Sequence, residues 1–181
     1  MQKKTLKTIY VLLLLIFISI FSLLIYRVVS SRQIDDVSPT IGCSEELLMK
    51  ADVLFVVPKF RNISIAENKS WCEYILSLNK TLALHGTYHT YREFGGELKN
   101  ESLQEGIEIF YECFGFYPSE FKSPQLKTGD ENRKLIHNNG MSLDGWPSWF
   151  FHKTYHCRED GEYAIHITDK IILTNKFIDW V

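Results

Sequence analysis

No acidic residue precedes Asp35, and Lys3, Lys4, Lys7 and Arg27 are the only charges before Ser31. The remainder therefore holds 16 of the 20 basic residues against all 22 acidic ones, a net charge of about −6. A chain without a basic stripe does not present a nucleic-acid surface, whereas neutral or cationic ligands stay open to it. No Cys-x-x-Cys pair occurs, so a zinc knuckle is excluded. No internal repeat or low-complexity segment is present. No clear small-x-small cleavage site follows the first apolar run, since Val28-Val29-Ser30 is a poor one.

That run, Thr8 to Tyr26, is free of charge and dominated by Leu, Ile, Phe and Val. At 1.5 Å per residue it matches the roughly 30 Å hydrocarbon core of a bilayer. Lysines precede it and Tyr10 and Tyr26 flank it, which predicts a cytoplasmic N-terminus and interfacial aromatic ends. An uncleaved anchor is favoured over a cleaved signal peptide, and either one places the rest of the chain outside the cell. The expected division is 1–30 as cytoplasmic tip and transmembrane anchor and 31–181 as one domain: a single-pass protein of the cell membrane. Cys43, Cys72, Cys113 and Cys157 all fall in the exported part. They permit two disulfides in three pairings, with buried free thiols as the alternative. Asn62, Asn68, Asn79 and Asn100 begin glycosylation sequons.

The exported part reads as strands alternating with helices. Pro39 ends any strand through Ile34-Asp35-Asp36-Val37. Ser44 to Lys50 reads as a short capped helix. Val53 to Val57, closed by Pro58, has the continuous apolar character of a buried parallel strand. Ile65 to Asn79 has helical spacing. Thr81 to His85 is the next strand, and Tyr91 to Lys99 a polar loop. Ser102 to Phe114 is a helix stopped by Gly115. Glu120 to Lys122 is a strand, Asp130 to Asn139 a polar helix, and Met141 to Asp144 begins another strand. Gly145 to Tyr155 reads as an aromatic loop, Tyr163 to Ile167 as a late strand, and Ile171 to Leu173 as one more. The alternation predicts right-handed βαβ units and a parallel sheet, open or closed into a barrel.

In such sheets chemistry gathers at the carboxyl ends of strands. Asp35-Asp36, His85, Lys122-Ser123-Pro124, Asp144 and His166 all fall at or near predicted strand ends. The organising stretch is Leu82-Ala83-Leu84-His85-Gly86-Thr87-Tyr88-His89. Two imidazoles placed where a strand gives way to a loop or a helical turn can converge on one metal ion, and at i and i+4 they share one side if that turn is helical; Gly86 permits a sharp bend. A surface loop with two unrelated histidines is the competing reading.

Taken in order from Ile34 to about His166, these motifs resemble the polysaccharide deacetylase superfamily, the NodB-homology carbohydrate esterases. The nearest likeness is to a poorly characterised branch opening with an Asp-Asp-Val-Ser-Pro motif. The resemblance implies a distorted (β/α) barrel, for which the exported part is short, so that helices or a final strand are expected to be trimmed. It implies Asp35 as general base, with Asp36, His85 and His89 as ligands of a divalent metal, zinc first. It places Lys122 where the family has arginine, which keeps the charge but loses the bidentate fork. Asp144, followed by Gly145-Trp146, matches the fourth motif, and His166 is the candidate general acid. The implied activity is removal of N-acetyl or O-acetyl groups from an extracellular polysaccharide.

The residue types suit that chemistry. One carboxylate and two imidazoles leave open positions on a zinc-like ion. A second carboxylate beside them suits a general base, and a histidine across the groove suits an acid for the leaving amine. Trp146, Trp149, Phe150 and Phe151 offer faces for a sugar ring, or form a lid or core packing. His137, His152 and His156 lie outside the motifs and are read as bystanders. Two other functions remain open: a non-catalytic, membrane-anchored carbohydrate-binding domain of the same fold, and a disulfide-bonded interaction domain with no metal.

Overall fold

A computed structural model describes residues 2–29, 31–144 and 153–157. Helix α1, Gln2–Val29, carries an 18-residue window, Leu6–Leu23, of mean hydropathy 2.4 with none of it buried. It is one helix long and apolar enough to cross a membrane.

The remaining described residues are built on a sheet of six parallel strands in the order β7-β6-β5-β2-β1-β8. In chain order these are β1 (Arg32–Val37), β2 (Val53–Val56), the hairpin strands β3 (Lys59–Phe60) and β4 (Ile63–Ser64), β5 (Thr81–His85), β6 (Glu120–Lys122), β7 (Ser142–Asp144) and β8 (Lys153–His156). Helices α2 (Glu45–Lys50), α3 (Lys69–Ser77), α4 (Asn100–Phe114) and α5 (Asp130–Asn138) make the crossovers. The sheet curls into a half-barrel. A parallel sheet carries crossovers on its face, and the apolar continuity of β2 follows from that: all four of its residues are buried.

Alternation along the strands divides the sheet into two faces. Ile34, Leu54, Val56, Leu82, Leu84 and Phe121 belong to the main core together with the apolar faces of α3, α4 and α5. The intervening positions Val53, Phe55 and Ala83 form a second small cluster. Gln33, Asp35, His85 and Lys122 share that alternation and are all buried. One face is therefore hydrocarbon, and the other is lined by the polar side chains of the site.

Several elements depart from the sequence reading. The expected helix from Ile65 to Asn79 is split: a 3-10 turn, Ile65–Glu67, precedes α3, because the Asn68 side chain accepts from the Trp71 N–H and starts a new helix there. The aromatic loop from Gly145 to Tyr155 gives way to β8 at Lys153. The expected strands Tyr163 to Ile167 and Ile171 to Leu173 lie outside the described residues. The cysteines are paired as Cys43–Cys157 and Cys72–Cys113. The first pair joins the segment after β1 to the end of β8, and the second joins α3 to α4.

Candidate metal centre and active site

The site forms at the carboxyl ends of β1, β5, β6, β7 and β8. Register brings its members level: Asp35 pairs with His156, His85 with Lys122, and Lys122 with Asp144. Neighbouring aspartates on a regular strand would point to opposite faces. Here β1 is bulged. Between Ile34↔Leu54 and Val37↔Val56 it spends one residue more than β2, and Asp36 takes φ 65°. The bulge turns the Asp36 carboxylate toward the histidines, while Asp35 stays on the polar face of the sheet.

His85 and His89 converge without a helical turn. The chain reverses after β5 through positive φ at Gly86 (63°) and His89 (58°). A Cβ at residue 86 would lie 2.7 Å from both Glu93 Oε2 and Pro124 Cγ, so the position needs glycine on two counts. Glu93 holds the loop from within. Its buried carboxylate accepts from the backbone N–H groups of Thr87, Tyr88 and His89 and from the Ser102 hydroxyl. Sequence reasoning missed this residue, whose one signal is an acid four positions after the second histidine of His-x-x-x-His.

The donor set fits a divalent metal. His85 Nδ1 is bonded to the carbonyl oxygen of Lys122 at 3.0 Å, which makes Nδ1 the N–H and leaves the Nε2 lone pair free. Nε2 of His85 and of His89 lie 3.2 and 2.7 Å from Asp36 Oδ1. That oxygen is buried with no hydrogen-bond donor directed at it. Three ligand atoms of Asp36, His85 and His89 thus lie within 4.8 Å of one another, as ligands about 2.0–2.2 Å from one ion require. Burial opposes charge on Asp36, yet the hydrogen bond with His156 and the imidazoles of His85 and His89 hold its pKa far below the usual carboxylate range.

Lys122 stands beside Asp35. It is almost fully buried, with Nζ 2.8 Å from Asp35 Oδ1, 2.7 Å from Gln33 Oε1 and 3.5 Å from Asp144 Oδ2. Its ammonium also sits 4.3 Å from the centre of the Phe55 ring. A buried cation persists only when so compensated. Asp35, Lys122 and Asp144 are therefore one charge cluster reaching across the sheet from β1 to β7.

His156 is the residue the sequence reading set aside. Its Nδ1 lies 3.2 Å from Asp36 Oδ2, and it lines the same cavity as Asp36, His85 and His89. Burial works to lower its pKa, but the hydrogen bond to Asp36 and the charges of Asp35 and Asp36 raise it above the ordinary imidazole value. Its signal was its place at a strand end, hidden because the strand lies within an aromatic stretch. His166, Trp146, Trp149, Phe150, Phe151 and His152 lie outside the described residues, and His137 is in the last turn of α5, outside the cavity wall. The cavity, about 350 Å³, is lined by Asp35, Asp36, His85, His89, Lys122 and His156, with Ser123, Gln125, Leu126 and Thr154 completing the wall.

No family model matches the sequence, and no curated protein matches it. Solved structures do. The Bc1960 peptidoglycan N-acetylglucosamine deacetylase superposes with a TM-score of 0.51 at 14% identity, over 67% of this chain and 60% of that one. This is the polysaccharide deacetylase fold. A second structure with it is a mutant, with restored enzymatic activity, of BA3943, a CE4 family pseudoenzyme from Bacillus anthracis. That match has a TM-score of 0.50 at 18% identity, over 66% of this chain and 46% of that one. The chain spans only about half the length of the first deacetylase-fold structures it matches.

Proposed function

We propose that the domain is a metal-dependent deacetylase of an extracellular, N-acetylated or O-acetylated polysaccharide, held at the membrane by α1. The observation that carries this reading is the Asp36, His85 and His89 triad beside a second, lysine-bound carboxylate in one cavity. The cavity is within the roughly 300–1,000 Å³ range of small-molecule sites.

Asp36, His85 and His89 would hold the ion, with zinc favoured by the nitrogen and oxygen donors. The chemistry such an ion supplies is a more acidic water and a polarised acyl carbonyl. Asp35 takes the proton of the attacking water as general base. Lys122 holds Asp35 in place, and Asp144 offsets part of the lysine's charge. For the acid that protonates the departing amine we assign His156, in the role the sequence reading gave to His166, because His156 reaches the cavity from the register position opposite Asp35.

A second reading is a carbohydrate-binding domain of the same fold without turnover. It is favoured by the tie of Asp35 Oδ1 to the Lys122 ammonium at 2.8 Å, which occupies one oxygen of the carboxylate assigned as base. Bound metal and acetate release from acetylated chitooligosaccharides and cell-wall glycan, measured together, separate the two. The wild type is expected to bind about one divalent ion and to release acetate. Asp35→Asn should keep the ion and lose turnover by about 10²–10⁴-fold, whereas His85→Ala and Asp36→Asn should lose both. Metal without acetate across the glycan panel makes the binding reading the better one, and unchanged metal affinity in His85→Ala refutes the ligand assignment.

A further inference from the structure

We propose that the amino-end edge of the sheet, led by Phe116 and Tyr117, rests in the headgroup layer of the lipid bilayer. The proposal builds on the reading of α1 as a membrane anchor. Because all six strands are parallel, their amino ends lie on one edge. The segments entering those strands carry exposed apolar side chains: Met49 before β2, Leu76 before β5, and Phe116 and Tyr117 before β6. Tyr117 is 60% exposed and stacks on Tyr111 with ring centres 4.6 Å apart; Phe116 packs edge-on against Phe110 at 5.7 Å. The pair is thus a braced aromatic knob: Tyr117, apolar ring with a polar hydroxyl, suits a surface that is half wet and half apolar, and Phe116 adds apolar area beside it.

The length of the tether says what covers it. Past Tyr26, α1 continues for three residues, Arg27 to Val29, and only Ser30 and Ser31 then separate it from β1. At 1.5 Å per helical residue and up to about 3.5 Å per extended one, the start of β1 is within roughly 12 Å of the end of the apolar span. The headgroup layer extends about 5–8 Å beyond the hydrocarbon on each side. Strand β6 is three places from β1, about 14 Å sideways. The tether is therefore short enough for the knob to reach headgroup depth when the edge faces the membrane. The candidate active site, at the opposite ends of the strands, then opens away from the lipid, toward polymer rather than toward a lipid-linked sugar at the surface.

The test uses the full chain in phospholipid nanodiscs. Nitroxide labels are placed through Ile16→Cys in α1, Tyr117→Cys at the knob and Tyr91→Cys at the other end of the fold. Relaxation by oxygen, which partitions into lipid, is compared with relaxation by a water-soluble nickel chelate. Ile16→Cys and Tyr117→Cys are expected to favour oxygen, and Tyr91→Cys the nickel chelate. A lipid response at Ile16→Cys with an aqueous one at Tyr117→Cys overturns the docked edge but leaves the anchor. An aqueous response at Ile16→Cys overturns both. Hydroxyl-radical footprinting of the wild type repeats the comparison without substitution: Tyr117 should be oxidised severalfold more slowly than Tyr91, which is similarly exposed at 76%. Equal oxidation rates overturn the proposal.

Discussion

Glu93 shows how much of a candidate metal site can rest on one residue outside the proposed ligand set. Three backbone N–H groups of the ligand loop converge on its carboxylate, fixing the positive-φ conformation that aims His89 at Asp36. Glu93→Gln should preserve the side-chain volume while turning one acceptor into a donor facing N–H groups. Metal affinity is expected to fall about 10–100-fold, the scale of outer-shell changes, with His85 and His89 intact. Competition with a chelator of known affinity measures it, and an unchanged dissociation constant would remove Glu93 from the site's construction. Lys122 poses a different problem at the same scale. It holds a charge in the interior, where losing either partner of the pair costs about 3–5 kcal/mol, so its four neighbours are as much a requirement of folding as of chemistry.

Among the elements, β8 depends most on connections made elsewhere. Among the described residues it is an edge strand, held by its ladder to β1, by the Cys157 N–H bond to the Asp35 carbonyl, and by Cys43–Cys157. The loop that this disulfide closes has a sequence separation of 114, against 41 for Cys72–Cys113. Chain entropy then makes its removal the costlier by about 1 kcal/mol, within a range of about 2–5 kcal/mol for either bond. Urea denaturation of Cys43→Ser/Cys157→Ser beside Cys72→Ser/Cys113→Ser checks the order. Equal losses would show that strain or denatured-state structure outweighs loop length. Helix α5 is fastened differently. Its buried Asn132 accepts from the Lys99 N–H and donates to the carbonyls of Phe94 and Glu97, a latch between a helix and the polar loop that a helical hydrophobic pattern does not reveal.

For the whole molecule the arrangement is polar in direction. An apolar helix stands at one end of the chain, the sheet begins a few residues later, and the candidate site sits at the far ends of the strands. With the domain outside, a protease added to intact cells should remove it and leave a small membrane-bound stub containing α1. Detection of the intact chain after treatment, under conditions that digest it in detergent, would reverse the topology. In that orientation the part after Ser30, with a net charge near −6, would face the proposed substrate.

Much of this was legible in order along the chain. The alternation of strands and helices, the buried character of β2 and β5, and the ends of α4 and α5 follow from periodicity and from Gly115 and Gly140, both at positive φ. Those are local properties, decided by side chains within a few positions. The convergence of Asp36, His85 and His89 followed from the family resemblance, but its geometry did not. It depends on a bulge visible only as a slip between β1 and β2, and on a reversal set by Glu93 rather than by a helical turn. His156 was read as a bystander, and the cysteine pairs were left open, for the same reason. Sequence separations of 120 between His156 and Asp36 and 114 between Cys43 and Cys157 are closed by strand order, and strand order is a product of packing the whole sheet.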